Sequence, residues 1–160
     1  MDTVVVFTSK DIDTIFAEGG SGDWVANKDR LAKCTYIVAV ANAHSNWSKH
    51  PQEKHAHAFI IGKITGIFES ASNPGRVVIQ FDEYASIDTP NAWSGQRNPV
   101  RYTDLSELGI DPGALDWQPF PADKIKEIDA TKPLTIEEAK LGLAKKLGVT
   151  PDCIEITIQA

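Results

Sequence analysis

The stretch Thr35-Tyr-Ile-Val-Ala-Val-Ala41 constrains the fold more than any other part of the chain. Its apolar residues do not alternate with polar ones, so a strand built from it is apolar on both faces. Such a strand needs partners along its edges and packed layers above and below. It is therefore expected at the centre of a sheet. Further strand segments flank it. Residues 3–8 form a short β-rich run, and residues 55–68 form a longer one, with Gly62 and Gly66 placed to bend it as barrel strands are bent. Residues 76–84 follow the turn signal Asn73-Pro-Gly75, which closes a hairpin.

Helical segments are few and short. Ser9 is positioned to cap a helix ending near Glu18, with Ile12, Ile15 and Phe16 on one face. Residues 27–33 suit another brief helix, and Thr103 or Asp104 can cap one or two turns stopped by Gly109. Residues 111–132 are Pro-rich and linker-like, with Trp117 and Phe120 expected to pack on the body. Beyond them, Thr135-Ile-Glu-Glu138 has the form of a capping box, and Ile136, Ala139, Leu143 and Leu147 make one helical stripe ended by Gly148. Ile154, Ile156 and Ile158 alternate with polar residues, the pattern of a half-buried strand. The predicted fold is α+β: a small, strongly bent or closed β-barrel with short flanking helices and a C-terminal helix–strand extension. The barrel domain is expected over residues 1–120, with a linker and tail over 121–160.

Bulk properties narrow the function. The 160 residues carry a formal net charge of −6, which disfavours a non-specific electrostatic binder of nucleic acid but leaves room for a pocket with local basic groups. No apolar run spans a membrane, and no signal peptide is read at the start, so a cytoplasmic location is expected. Cys34 and Cys153 lack partners at zinc-motif spacing and read as inert thiols.

The segment Trp93-Ser-Gly-Gln-Arg-Asn-Pro-Val-Arg-Tyr102 has a composition that a core does not require. Indole and phenol rings offer flat faces, guanidinium groups grip phosphate or carboxylate, and Asn can read a base edge with donor and acceptor together. Its pattern Trp93-x-Gly95-x-Arg97-Asn98-x-x-Arg101 resembles a motif of EVE domains, which belong with ASCH and YTH domains to the PUA-like superfamily. Here the motif follows four predicted strands, whereas in EVE domains it lies near the N terminus. The resemblance implies a small barrel with an aromatic-lined pocket for a modified nucleobase. Trp93 and Trp24 would then be pocket walls, Arg97 and Asn98 polar readers, and Arg101 a phosphate or loop anchor.

Trp47, in a loop with His44, Asn46 and Lys49, is a candidate second stacking surface, and Tyr102 joins the ligand-binding set. Gly19-Gly20-Ser21-Gly22 lacks the remainder of a phosphate-binding loop and reads as a flexible connection presenting Trp24. Four histidines, His44, His50, His55 and His57, fall within fourteen positions. They lack any established zinc-motif spacing, and His57 is the one expected to line the pocket. No cofactor is implied. The leading expectation is a binding module for a nucleobase or nucleotide, with nucleic acid or a nucleotide as partner. The alternative is an ASCH-like hydrolase or ribonuclease using Arg97, Arg101, Tyr102 and His57. A homodimer through the C-terminal strand is a further expectation.

Overall fold

A computed structural model describes residues 2–124 and 135–158, which fall into two compact units. The first unit is a mixed sheet with short helices. Its strands are β1 (Thr3–Thr8), β2 (Ser21–Trp24), β3 (Tyr36–Ala41), β4 (Ala58–Glu69), β5 (Val77–Thr89), β6 (Val100–Thr103) and β7 (Gln118–Pro119). They run in the order β2-β5-β4-β3-β1-β6, with β7 pairing β5. β1 and β3 are parallel, while β1–β6, β2–β5, β3–β4, β4–β5 and β5–β7 are antiparallel.

The expectation for β3 holds. It lies between β4 and β1, and Val38, Val40, Ile37 and Ala39 are all buried. The period of two divides its side chains between two cores. Ile37 and Ala39 join Val4, Val6, Ile60 and Phe81 on one face, while Val38 and Val40 join Val5, Ile61 and Ala85 on the other.

The sheet is curled, and its bulges mark where the bending occurs. The β4–β5 ladder shifts register between Ala58 and Ile60, and twice more between Lys63 and Gly66. Each such shift kinks a strand and increases its twist. Gly62 lies just before the second shift, and a Cβ there would meet Phe81 Cγ at 2.4 Å. Because the Phe81 ring is fully buried, Gly62→Ala is expected to cost about 1–3 kcal/mol through overpacking. Urea denaturation should show this, and adding Phe81→Leu should return part of the loss. Equal stability of Gly62→Ala and the wild type would contradict the close approach.

The structure revises several local expectations. Asp11, not Ser9, caps α1 (Ile12–Glu18), its carboxylate accepting from the Thr14 amide. A carboxylate so placed is the stronger acceptor at the positive end of a helix. The glycine run is not a flexible connection. It leads into β2, and just before that strand Gly20 has φ 147° and a Cβ would sit 2.5 Å from the Ile79 carbonyl oxygen. Glycine is needed there so that two backbones can approach closely. Residues 100–102, the end of the segment expected as a recognition loop over 93–102, form β6 together with Thr103, a residue expected as a helix cap.

Phe120 packs on the body as expected. It donates its backbone N–H to Asp82 and buries its ring against Phe16 and Phe81. A short helix α2 (Lys28–Leu31), capped by Asn27, appears as predicted.

Asp23 ties the far end of β2 to the β4–β5 turn. Its carboxylate accepts from Ser70 Oγ at 2.6 Å, Asn73 Nδ2 at 2.9 Å and Lys10 Nζ at 3.0 Å. Its carbonyl accepts from Arg76 at 2.8 Å. The residue adopts φ 69°, a left-handed conformation that Asp tolerates better than most side chains.

The second unit contains α3 (Ile136–Leu147), whose capping box between Thr135 and Glu138 forms as expected. Residues 154–158 are not a strand, because no partner strand pairs with them among the described residues. Alternation alone cannot make a strand without a neighbour. None of the described helices is long and apolar enough to cross a membrane.

Candidate functional site

Strand direction brings the chemically active residues to one end of the sheet. The C-terminal ends of β1, β3 and β5 meet the N-terminal ends of β4 and β6 there. Phe7, Ala41, His57, Phe59, Asp88 and Val100 all lie at or beside these ends, together with the loops of residues 42–57 and 90–99.

A cleft of about 320 Å³ opens among them. Its apolar lining comes from Ala41, Pro51, Phe59 and Ile87, and its polar lining from His50, Lys54, His57 and Asp88. Backbone pairing continues beyond β3 and β4 to position His57. The Ala41 amide donates to the His57 carbonyl at 2.8 Å, and the Ala56 amide donates to the Ala41 carbonyl at 2.8 Å. Ala56 itself has φ 63°. That is an uncommon conformation for alanine, and the flanking pairing holds it in place.

Hydrogen bonds fix the orientation of both cleft histidines. His57 Nδ1 lies 2.7 Å from Asp88 Oδ1, and Lys54 Nζ bonds the other carboxylate oxygen. A carboxylate only accepts, so Nδ1 carries the proton and Nε2 is left as the second functional nitrogen. His50 Nε2 lies 3.0 Å from the Lys10 carbonyl oxygen, and its ring leans on Phe59 with centroids 4.6 Å apart. Burial lowers the His50 pKa and favours the neutral ring. The bonds from Lys54 and His57 hold the Asp88 carboxyl below the usual carboxylate range.

An aromatic column supports the loops behind the cleft. The Trp93 ring stacks on Phe7 at 4.9 Å with planes 3° apart, and the edge of Phe7 meets His55 at 5.4 Å. His55 in turn stacks on His44 at 3.5 Å. Burial and the neighbouring His44 lower the His55 pKa.

The expected pocket does not assemble as the sequence suggested. Trp93 is buried in one core, whereas Trp24 is buried in the other, on the opposite face of the sheet. Two walls of one pocket cannot face away from each other across a sheet. Trp24 Nε1 donates to Ser21 Oγ at 3.0 Å. Tyr102 joins the Trp24 side, where the Arg30 guanidinium covers its ring at 4.1 Å. Arg101 lies on the Trp93 side and donates to the Ala92 carbonyl at 3.3 Å, which makes it a loop anchor. Asn98 turns onto its own loop, its Oδ1 accepting from the Val100 amide at 3.2 Å, while Arg97 is exposed.

Trp47 is 86% exposed. Of the expected ligand-binding residues, only His57 lines the cleft. Among the described residues no group of three His, Cys, Asp or Glu side chains is placed to hold a metal ion.

Lys54, Phe59 and Asp88 were not anticipated. An approximate signal existed for Asp88. Counting outward from Pro74 places residues 57–58 opposite 90–91, near Asp88, and the register shifts along the hairpin bring Ala58 opposite Thr89 instead. Comparison with protein-family models, curated proteins and solved structures yields no match to this chain.

Proposed function

We propose that this protein is a binding module that takes one base-like heteroaromatic ring into the cleft at His57, as a nucleotide, a nucleoside or an unpaired base of a nucleic acid. The observation that carries the reading is the gathering of two oriented imidazoles, an ammonium group and a carboxylate around the Phe59 ring. Flat faces with a few placed polar groups are what a small-ring site needs, and a volume of about 320 Å³ lies at the small end of ligand pockets. Trp47, exposed on the same loop as His50, adds a stacking surface outside the cleft.

The PUA-like resemblance belongs to this proposal and draws support from the curled mixed sheet. The site moves away from Trp24, Arg97 and Tyr102. The hydrolase alternative retains one element, an imidazole oriented by a carboxylate as a general base requires, but Arg101 and Tyr102 do not join it.

Titrating the isotope-labelled protein with the four common nucleoside monophosphates tests the reading. Amide shifts are expected at His50, His57, Phe59 and Asp88. Phe59→Leu, which keeps apolar bulk but removes the ring, should weaken binding about tenfold. An absence of cleft shifts with every nucleotide at millimolar concentration would refute the assignment.

A further inference from the structure

The hydrogen-bond roles around the cleft imply a preference among rings. His57 gives its Nδ1 proton to Asp88, so in the neutral ring Nε2 carries a lone pair. His50 donates from Nε2 to the Lys10 carbonyl, and the Thr8 backbone is a second acceptor beside this ring, so the acceptor open to a ligand is that of His57. Asp88 can only accept, and Lys54 directs a donor to it. The open acceptor at His57 Nε2 therefore needs a hydrogen from the ligand, while the remaining Lys54 N–H groups serve an acceptor elsewhere on the same ring.

We infer that the cleft selects flat rings bearing an exocyclic amino group, as in cytosine and adenine, over rings with a carbonyl oxygen in its place, with His57 as the discriminating residue. This inference rests on the proposed binding of a base-like ring and adds the chemistry of the ring edge. A carbonyl oxygen set against a lone pair forms no bond and leaves both groups desolvated, whereas an amino group satisfies the imidazole nitrogen.

Two matched pairs isolate that edge: cytidine against uridine, and adenosine against inosine. Isothermal calorimetry at pH 8 reads the four affinities, and amide shifts in the same samples locate the ligand. The expected result is about tenfold tighter binding of the amino-bearing member of each pair. In His57→Phe both ratios should fall to within about twofold of unity, because the acceptor is gone while a ring remains. Equal or tighter binding of uridine and inosine in the wild type would overturn the inference and leave the binding module standing. Ratios unchanged in His57→Phe would overturn the assignment to His57. A lack of cleft binding by all four nucleosides would overturn the module and the inference together.

Discussion

Trp93→Ala should cost about 3–5 kcal/mol of folding stability, the usual range for emptying a large buried aromatic site. The indole is only 8% exposed and stacks flat on Phe7, with the Arg101 guanidinium 6.0 Å from its centre. Domains of this size have roughly 5–15 kcal/mol in total, so the loss would be a large share of what holds the fold. Urea denaturation followed by circular dichroism would measure it. Trp93→Phe keeps an aromatic partner for Phe7 and should lose less than half as much. Where Trp93→Ala remains folded, cleft affinity should stay within about threefold of wild type, because Trp93 does not line the cleft. Stability within about 1 kcal/mol of wild type would show that the ring is not the packing element described, and a selective binding loss would return it to the site.

Removal of Asp23 is the second large effect expected. Asp23→Ala deletes the acceptor of three side chains and puts a β-carbon without polar compensation at φ 69°. Together these should cost about 2–3 kcal/mol, part from charge-assisted hydrogen bonds and part from left-handed strain. Asp23→Gly removes the same acceptor without the strain and should be less damaging, while Asp23→Asn should be the mildest. A flat series across the three would refute this account.

Hydrogen bonds from Ser70 and Asn73, then the Lys10 charge, lower the Asp23 pKa to about 2 from 3.8. The carboxylate is 32% exposed, so solvent screening trims the linked stability to about 1–2 kcal/mol. For a lowered carboxyl pKa that stability is fully present above the unfolded value of 3.8 and disappears as pH falls through 2. His50 and His55 act earlier. Burial favours their neutral forms, so the unfolded chain takes up protons first as pH drops below about 6.5. Acid titration of stability should therefore decline in two stages, and Asp23→Asn should remove much of the second while sparing the first.

The skeleton was legible where local chemistry and the tertiary environment agreed. An unbroken apolar run marked β3, Asn73-Pro-Gly75 marked the hairpin, and Thr135 with Glu138 marked the start of α3. Failures arose where distant contacts decided the outcome. Ser21–Trp24 became a strand because β5 offered an edge and Gly20 let the backbones close, neither of which is visible in SGDW alone. Trp24 and Trp93 looked alike as aromatic residues near glycines, but opposite faces of the sheet separated them. The histidine cluster was visible, yet its meaning depended on Asp88, 31 positions away from His57. Composition marked the segment around Trp93 as unusual. In the fold its aromatic ring builds the wall behind the loops, while the cleft opens beside them.

The position of β1 has a consequence for the order in which the chain can be completed. Thr3 is in register with Tyr36 on one side and with Thr103 on the other. The β4–β5 hairpin can close as soon as its own turn has been made. β1, made before the other strands, must leave one edge open until Val100–Thr103 have left the ribosome. Throughout that interval an apolar strand with unpaired amides is available to any neighbouring chain. The exposure of β1 to misassembly thus falls during translation, and β6, only four residues long, covers that edge.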